Sequence, residues 1–190
     1  MKVGVILANN LTQWYDKALS TEELRQQFTD LKNGFEYIYD NFNVKEDENK
    51  ELLQEKQFKV LGIVEPWCAH CMLNTPILLH LAEAYDFEVK FSLRDENLDL
   101  MEKYQTNGKN IIPKFIVLDN DNNEIGVWGP FAPEVKATVD EYKQQLPPKD
   151  SDNYDEKFKD FIKKIREKFT TDEELWYSAY EDIKKTLLNA

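Results

Sequence analysis

Apolar residues in the N-terminal part of the chain recur at steps of three and four, the spacing of one face of a helix. The helical pattern begins after Ser20, which can cap a helix with Glu23 as its capping-box partner. The apolar stripe consists of Leu24, Phe28, Leu31, Phe35, Ile38 and Phe42. A packing face is therefore predicted here, followed over residues 44–57 by a charged linker or a short second helix.

The middle of the chain changes from helix-like steps to short apolar runs of strand length. The run over 58–64 leads into a helical pattern over 71–85, and alternating apolar residues then predict a strand over 88–94. A short helix over 97–105 follows. Two further apolar runs flank the Asn and Asp residues at 120–123, a composition that suits the turn of a β-hairpin.

The C-terminal part of the chain reads as helical. A helix over 133–145 closes the strand-containing unit, and the prolines and polar residues over 146–153 predict a linker. Beyond it, Thr171 and Glu174 form a second capping-box pattern between two apolar stripes. The stripes consist of Tyr154, Phe158, Phe161, Ile165 and Phe169, and of Trp176, Ala179, Tyr180, Ile183 and Leu187. A helical hairpin is predicted, which covers the domain or forms a dimer face.

These patterns predict an α/β protein with one core and additions at both ends, as suits a chain of 190 residues. The predicted parts are an N-terminal helical extension over 1–57, an α/β domain over 58–147 and a C-terminal helical hairpin over 148–190. The chain has 42% apolar and 13% aromatic residues, which supply enough bulk for a packed core.

Charge and hydrophobicity exclude several partners. The net charge is −12, with 36 acidic against 24 basic residues and no Lys/Arg-rich block, so nucleic acid is not expected as a partner. No apolar run approaches the ~18 residues of a membrane span. The run over 3–8 is shorter than a signal-peptide core of roughly 7 to 15 residues, so we expect it to begin a strand or a helix.

The cysteine content bears on the compartment. Only two cysteines are present, and they lie too close together to staple a secreted fold. We therefore expect a cytoplasmic protein. The excess of lysine over arginine is typical of an AT-rich bacterial genome.

Both cysteines lie in the segment EPWCAHC, residues 65–71, three positions apart. A dithiol exchanges disulfides well when one thiol is ionised at neutral pH and the other can attack the mixed disulfide that forms. A helix N-terminus stabilises a thiolate by about 0.3 to 1 kcal/mol, and His70 offers a further donor or positive charge. A lowered pKa is therefore expected for Cys68, which moves the pair towards the oxidising end of known reduction potentials.

The motif PWCAHC resembles the active site of the thioredoxin superfamily, with Trp67 before the first cysteine and Pro76 five residues after the second. Pro113 lies directly before a predicted strand, where that family places a cis-proline facing the dithiol. The order of predicted elements from residue 58 to about 145 is also similar. The resemblance implies a thioredoxin-like fold, a central mixed sheet flanked by helices, here with N- and C-terminal helical extensions.

The resemblance also implies roles for particular residues. Cys68 would be the attacking thiolate and Cys71 the buried resolving thiol. Trp67 and His70 would support the dithiol. Ile112 and Pro113 would form a substrate groove, in which the backbone pairs with an extended peptide.

The chain departs from thioredoxins proper in two features. Thioredoxins carry a buried aspartate six residues before the first cysteine, where this chain has Gly62. Glu65 is an acidic neighbour at a different position, so proton transfer to Cys71 would use water, Glu65 or no dedicated group. The central dipeptide Ala-His is closer to the histidine-bearing motifs of disulfide isomerases and disulfide-forming enzymes, which work in oxidising compartments.

Other chemical interpretations of the same residues are less favoured. A zinc site usually has four N or S ligands. The chain could supply them only from the two cysteines, His70 and His80, and His70 lies inside the loop between the cysteines. No metal is therefore expected. His80 is interpreted as a satisfied or surface histidine. Trp128 and Gly129 would line the rim of the site, although sheet-edge packing explains Trp128 equally well.

The sequence therefore predicts an intracellular thiol-disulfide oxidoreductase that needs no cofactor. Its substrates would be protein or low-molecular-weight disulfides, and a reducing partner would regenerate it. The alternative is a binding module that docks a partner through its helical extensions, with a vestigial or oxidation-sensing dithiol. A homodimer through the terminal helices also stays open.

Overall fold

The structure is a computed structural model that describes residues 9–46 and 48–190; the apolar run over 3–8 lies outside the described residues. In chain order the elements are α1 (Thr12–Tyr15), α2 (Thr21–Gln27), α3 (Lys32–Asn41), α4 (Lys50–Glu55), β1 (Lys59–Val64), α5 (Ala69–Tyr85), β2 (Glu88–Leu93), α6 (Leu98–Met101), a 3₁₀ turn (Glu102–Tyr104), β3 (Lys114–Leu118), β4 (Glu124–Trp128), α7 (Pro133–Gln144), α8 (Tyr154–Thr171) and α9 (Glu173–Asn189).

The four strands form one mixed sheet in the order β2-β1-β3-β4. β1 is parallel to β2 and antiparallel to β3, and β3 pairs with β4 as an antiparallel hairpin. A parallel pair requires a crossover connection, and α5 provides it. Since β1 and β3 are the inner strands, they are buried along almost their whole length, as their continuous apolar sequences predict.

The β3–β4 hairpin turns at the predicted Asn- and Asp-rich segment. The carboxylate of Asp119 accepts hydrogen bonds from the backbone N–H groups of Asp121 at 2.9 Å and Asn123 at 2.8 Å. Asn122 adopts a positive φ of 64°, which asparagine tolerates better than most residues. These local bonds explain why this short polar segment reverses the chain.

The N-terminal apolar stripe is buried as predicted, but it spans two helices. Ser20 and Glu23 form the predicted capping box at the start of α2. That helix ends at Phe28, whose ψ of 130° is extended, and α3 begins after Leu31. All six residues of the stripe nevertheless face the core, so the apolar spacing continues across the break between the two helices.

α5 is the central helix of the molecule, with most of its residues buried. α3, α4, α8 and α9 pack against it, while α1 and α2 contact β2 and α9 also contacts β4. The apolar stripes of the C-terminal hairpin pack against the rest of the chain from Phe161 onwards, whereas Phe158 is 39% exposed. One cluster of buried residues runs from Leu11 to Leu187. The division into a domain and two extensions stays a prediction.

The second predicted capping box is wrong. α8 continues through Thr171, and Asp172 caps α9 by accepting from the backbone N–H of Glu174 at 3.0 Å and of Leu175 at 3.4 Å. Asp172, one residue after the predicted cap Thr171, caps α9 because its carboxylate reaches the backbone amides of the first turn.

No helix in the described part of the chain has the length and apolar character needed to span a membrane.

Candidate active site

The dithiol lies where β1 passes into α5. β1 ends at Val64, and Cys68 is the N-cap residue of α5, with an extended backbone (φ −86°, ψ 119°). Its sulfur accepts a hydrogen bond from the backbone N–H of Cys71 at 3.4 Å. This is the position of a capping side chain, so the sulfur meets the unpaired amides of the first helical turn.

The surroundings of Cys68 favour its thiolate. The side-chain hydrogen bond from Cys71 contributes most to lowering the pKa of Cys68. Burial opposes this effect, and the backbone N–H groups of Cys71 and His70 and the positive charge of Arg94 add to it. Cys68 has 9% of its surface exposed and lies 3.8 Å from the carbonyl oxygen of Ile112.

Cys71 has the opposite character. Its side chain is fully buried, and burial, followed by the hydrogen bond and charge of Cys68, holds the pKa of Cys71 well above its usual value. The backbone N–H of Glu65 donates to its sulfur at 3.5 Å. Both cysteines are free thiols in this structure. The arrangement provides one thiol that ionises readily and one that stays protonated beside it.

Of the two roles expected of His70, a donor or a positive charge, the structure favours the donor. Burial lowers the pKa of His70 to about 4, so its imidazole is neutral near pH 7. The ring lies between Phe131 and Phe169, with centroid distances of 5.1 and 5.0 Å, and its buried Nδ1 has no hydrogen-bond partner. His70 therefore acts on Cys68 through its backbone N–H, since its ring carries no charge.

A neutral imidazole at His70 predicts different outcomes for two substitutions. His70→Phe keeps the ring and the backbone amide, so we expect the pKa of Cys68 to stay at the wild-type value. Arg94→Gln removes a positive charge that favours the thiolate and should raise that pKa. The rate of iodoacetamide alkylation as a function of pH measures both; a clear rise in the His70→Phe variant would contradict the neutral imidazole.

The residues predicted to form the groove lie opposite Cys68. The Ile112–Pro113 peptide bond is cis, as the resemblance implies, and so is Gly129–Pro130. The two loops are in close contact, because a Cβ built on Gly129 would lie 2.3 Å from the carbonyl oxygen of Pro113. Gly129 therefore belongs to the wall behind the cis-proline.

Lys114 is a buried cation that belongs to none of the sequence motifs. Its ammonium group donates to Thr106 Oγ1 at 2.8 Å and to the carbonyl oxygen of Gly129 at 2.9 Å. Burial lowers the pKa of Lys114. Lys114 thereby connects the segment that follows Pro113 to the loops that contain Thr106 and Gly129. A lysine at the start of an otherwise apolar strand was the sequence signal for it.

Trp67 and Arg94 form the outer border of the dithiol. Trp67 is 52% exposed, and the guanidinium carbon of Arg94 lies 4.7 Å from its ring centroid, within cation–π range. Arg94 also forms an ion pair with Asp95 at 2.7 Å and donates to the carbonyl oxygen of Asn110 at 3.3 Å. These contacts fix the guanidinium group beside the cysteine loop.

Gly62 lies in β1, where the ring of Phe91 leaves little room for a side chain. A Cβ at this position would lie 2.7 Å from Cδ1 of Phe91 and 3.5 Å from Cδ1 of Phe115. A side chain at the position of the thioredoxin aspartate therefore requires the buried ring of Phe91 to shift. Glu65 is buried nearby, and its Oε1 accepts from the backbone N–H of Asp95 at 2.7 Å.

The remaining sequence candidates have structural partners. The Nε2 of His80 is 2.7 Å from the carbonyl oxygen of Tyr39. Trp128 is buried and donates from Nε1 to Asp182 at 2.8 Å, so packing between the sheet and α9 accounts for it. In the described residues, no group of three or more His, Cys, Asp or Glu side chains could hold a metal ion.

The mixed sheet, the dithiol at the N-terminus of the helix after β1 and the cis-proline facing it together define a thioredoxin-like protein. A family model described as Thioredoxin matches residues 10–143. The chain therefore belongs to this thioredoxin family. The predicted fold class is confirmed.

Solved structures with the same fold have distant sequences. One is a protein of unknown function from Pseudomonas aeruginosa, 15% identical, with a TM-score of 0.56 over 85% of this chain and 95% of that one. Another is an HIV epitope-scaffold, 13% identical, with a TM-score of 0.58 over 95% of this chain and 96% of that one. At these identities the likeness concerns the fold alone. No curated protein matches the sequence.

Proposed function

We propose that this protein is a thiol-disulfide oxidoreductase that works in a reducing compartment such as the cytoplasm. One observation carries the proposal: Cys68 has a lowered pKa at the N-terminus of α5, and Cys71 is a buried, protonated thiol within hydrogen-bonding reach of it. An ionised thiol with a second thiol beside it is the chemical requirement for two-step disulfide exchange. Membership of the thioredoxin family supports the same activity.

The reaction transfers two electrons from the dithiol to a substrate disulfide. The Cys68 thiolate attacks one sulfur of the substrate, forms a mixed disulfide and releases the first substrate thiolate. Cys71 then loses its proton and attacks Cys68, which forms the Cys68–Cys71 disulfide and releases the second thiolate. Both leaving thiolates take up protons. A reducing partner of the dithiol class returns the protein to its starting state.

The proposed substrates are protein disulfides or low-molecular-weight disulfides. The backbone of Ile112 beside Cys68 offers an edge to which an extended peptide can add, and the exposed ring of Trp67 offers apolar contact on the other side. The helical extensions already pack against the chain's own core. Substrate contact is therefore assigned to the surface around the dithiol.

Trapping tests the proposal. In a Cys71→Ser variant, Cys68 can form a mixed disulfide that nothing resolves, so we expect stable, thiol-reversible adducts with client proteins in a cell extract. Cys68→Ser is the matched control and should capture none. Non-reducing gel electrophoresis followed by mass spectrometry identifies the clients.

The same experiment separates this function from the binding-module alternative. That alternative predicts no Cys68-dependent adducts and an ordinary thiol pKa in the alkylation profile. Both results together would overturn the oxidoreductase proposal. A measured reduction potential, compared with the cytosolic thiol poise, gives the direction of net electron flow.

A further inference from the structure

Lys114 lies directly after the cis-proline, and packing alone does not explain why this residue is charged. Its side chain is buried, and both acceptors of its ammonium group, Thr106 Oγ1 and the carbonyl oxygen of Gly129, are neutral. Burial of a charge costs free energy that neutral acceptors offset only in part. A methionine would fill the same space without that cost. The ammonium group is therefore explained by the two groups that it joins.

The first of these groups, the Thr106 hydroxyl, belongs to a tight turn. The backbone N–H of Thr106 donates to the carbonyl oxygen of Lys109 at 2.9 Å, and the N–H of Lys109 donates back to Thr106 at 3.1 Å. Between them, Asn107 and Gly108 have positive φ values of 50° and 70°, the backbone geometry of a two-residue reverse turn. Thr106 is therefore a fixed anchor at the start of the segment that leads to Pro113.

The second group, the Gly129 carbonyl, lies in the loop after β4. A Cβ built on Gly129 would lie 3.4 Å from Cα of Lys114, so this loop packs against the residues that follow the cis-proline. The ammonium group thus joins the loop to the segment that contains Ile112. Since the carbonyl oxygen of Ile112 lies 3.8 Å from the sulfur of Cys68, any shift of this segment moves the peptide edge relative to the reactive sulfur.

We propose that Lys114 is a positioning residue that holds the Ile112 backbone ready to receive an extended polypeptide substrate. The inference rests on the proposed function and narrows its substrate class to protein disulfides, because a small disulfide forms no backbone pairs with this edge. A polypeptide binds only when the segment has the right arrangement, so the measured affinity depends on how often that arrangement is populated. The two hydrogen bonds of Lys114 keep it populated before the substrate arrives.

A peptide probe tests this inference. The probe is a short extended peptide whose single cysteine carries thionitrobenzoate as a mixed disulfide, supplied in excess over the reduced protein. The Cys68 thiolate attacks the peptide sulfur and displaces thionitrobenzoate, the better leaving group because its thiol has the lower pKa. Cys71 then loses its proton and attacks Cys68, and the released peptide thiolate takes up a proton. Stopped-flow absorbance of thionitrobenzoate gives the half-saturating peptide concentration and the maximal rate.

Three variants separate positioning from charge. Lys114→Met keeps the apolar stem; if the released segment holds the binding arrangement about a tenth of the time, the half-saturating concentration rises about 10-fold and the maximal rate stays near the wild-type value. Thr106→Val removes one of the two hydrogen bonds from its other end and should raise that concentration about 3-fold. Lys109→Met removes an exposed lysine from the same turn, so it is the matched control and should change neither quantity.

The possible failures are distinguishable. If the wild-type protein forms no Cys68–Cys71 disulfide with the probe, the oxidoreductase proposal fails. If it does, and the half-saturating concentration is the same in the wild type, Lys114→Met and Thr106→Val, only the role of Lys114 is overturned. An equal shift in Lys109→Met and Lys114→Met also overturns that role, because charge would then govern binding. Thermal unfolding checks each variant, and Thr106→Val decides alone should Lys114→Met not fold.

Discussion

A Gly129→Ala variant is expected to lose about 2 to 5 kcal/mol of unfolding free energy, from backbone strain and overpacking together. Gly129 has a φ of 114°, a conformation that alanine rarely adopts, and its new Cβ would lie 2.3 Å from the carbonyl oxygen of Pro113. Because that oxygen belongs to the backbone, no side-chain rotation can relieve the overlap. Urea denaturation monitored by circular dichroism measures the loss.

Gly108→Ala is the matched control for this prediction. Gly108 also has a positive φ, 70°, but a Cβ there meets no atom within 4 Å. Its substitution should cost only about 1 to 2 kcal/mol, the price of a left-handed alanine. Equal losses in the two variants would show that the close approach of Gly129 to Pro113 carries no energetic weight.

An aspartate at Gly62, where thioredoxins carry one, is expected to be about as damaging. A Cβ at this position overlaps the buried ring of Phe91 at 2.7 Å, which alone costs about 1 to 3 kcal/mol in overpacking. The carboxyl group would then be enclosed by Phe91 and Phe115, and burial of a polar group without a partner adds roughly 1 to 3 kcal/mol more. Urea denaturation against Gly62→Ala separates the two contributions.

The pH dependence of Gly62→Asp has a definite sign. An apolar environment disfavours the carboxylate and raises its pKa above the unfolded value of about 3.9. The protonated form is therefore the better tolerated one in the folded state. The deficit relative to Gly62→Ala should be smallest below about pH 4 and should grow as the pH rises towards the folded pKa. A deficit that does not change with pH would mean that the new carboxylate reaches water.

Much of the architecture was predictable because its determinants are local. The apolar run of β1, the Asp- and Asn-rich turn after β3 and the capping box at Ser20 each fix backbone geometry through neighbouring residues. The spacing of Cys68 and Cys71 likewise places both thiols on the first turn of α5. The break between α2 and α3 was missed because a stripe of period 3.6 continues across it.

The electrostatics of the site were less predictable because they depend on residues far along the chain. The aromatic rings that bury His70 come from Phe131 and Phe169, and neither their contact nor the resulting loss of charge follows from the motif. The crowding at Gly62 by the ring of Phe91 is equally non-local. A neutral His70 also removes one reason to expect a strongly oxidising dithiol.

The four tryptophans differ in exposure, so the intrinsic fluorescence of the protein can report on the surface beside the dithiol. Trp14, Trp128 and Trp176 are each at most 4% exposed and donate their indole N–H within the fold, to Asp99, Asp182 and the carbonyl oxygen of Phe169, respectively. Trp67, 52% exposed and next in sequence to Cys68, is the indole that a dissolved quencher such as acrylamide reaches. A molecule that binds over the Cys68 sulfur and covers Trp67 should therefore reduce the quenching of intrinsic fluorescence by acrylamide, and this can be measured without an attached dye.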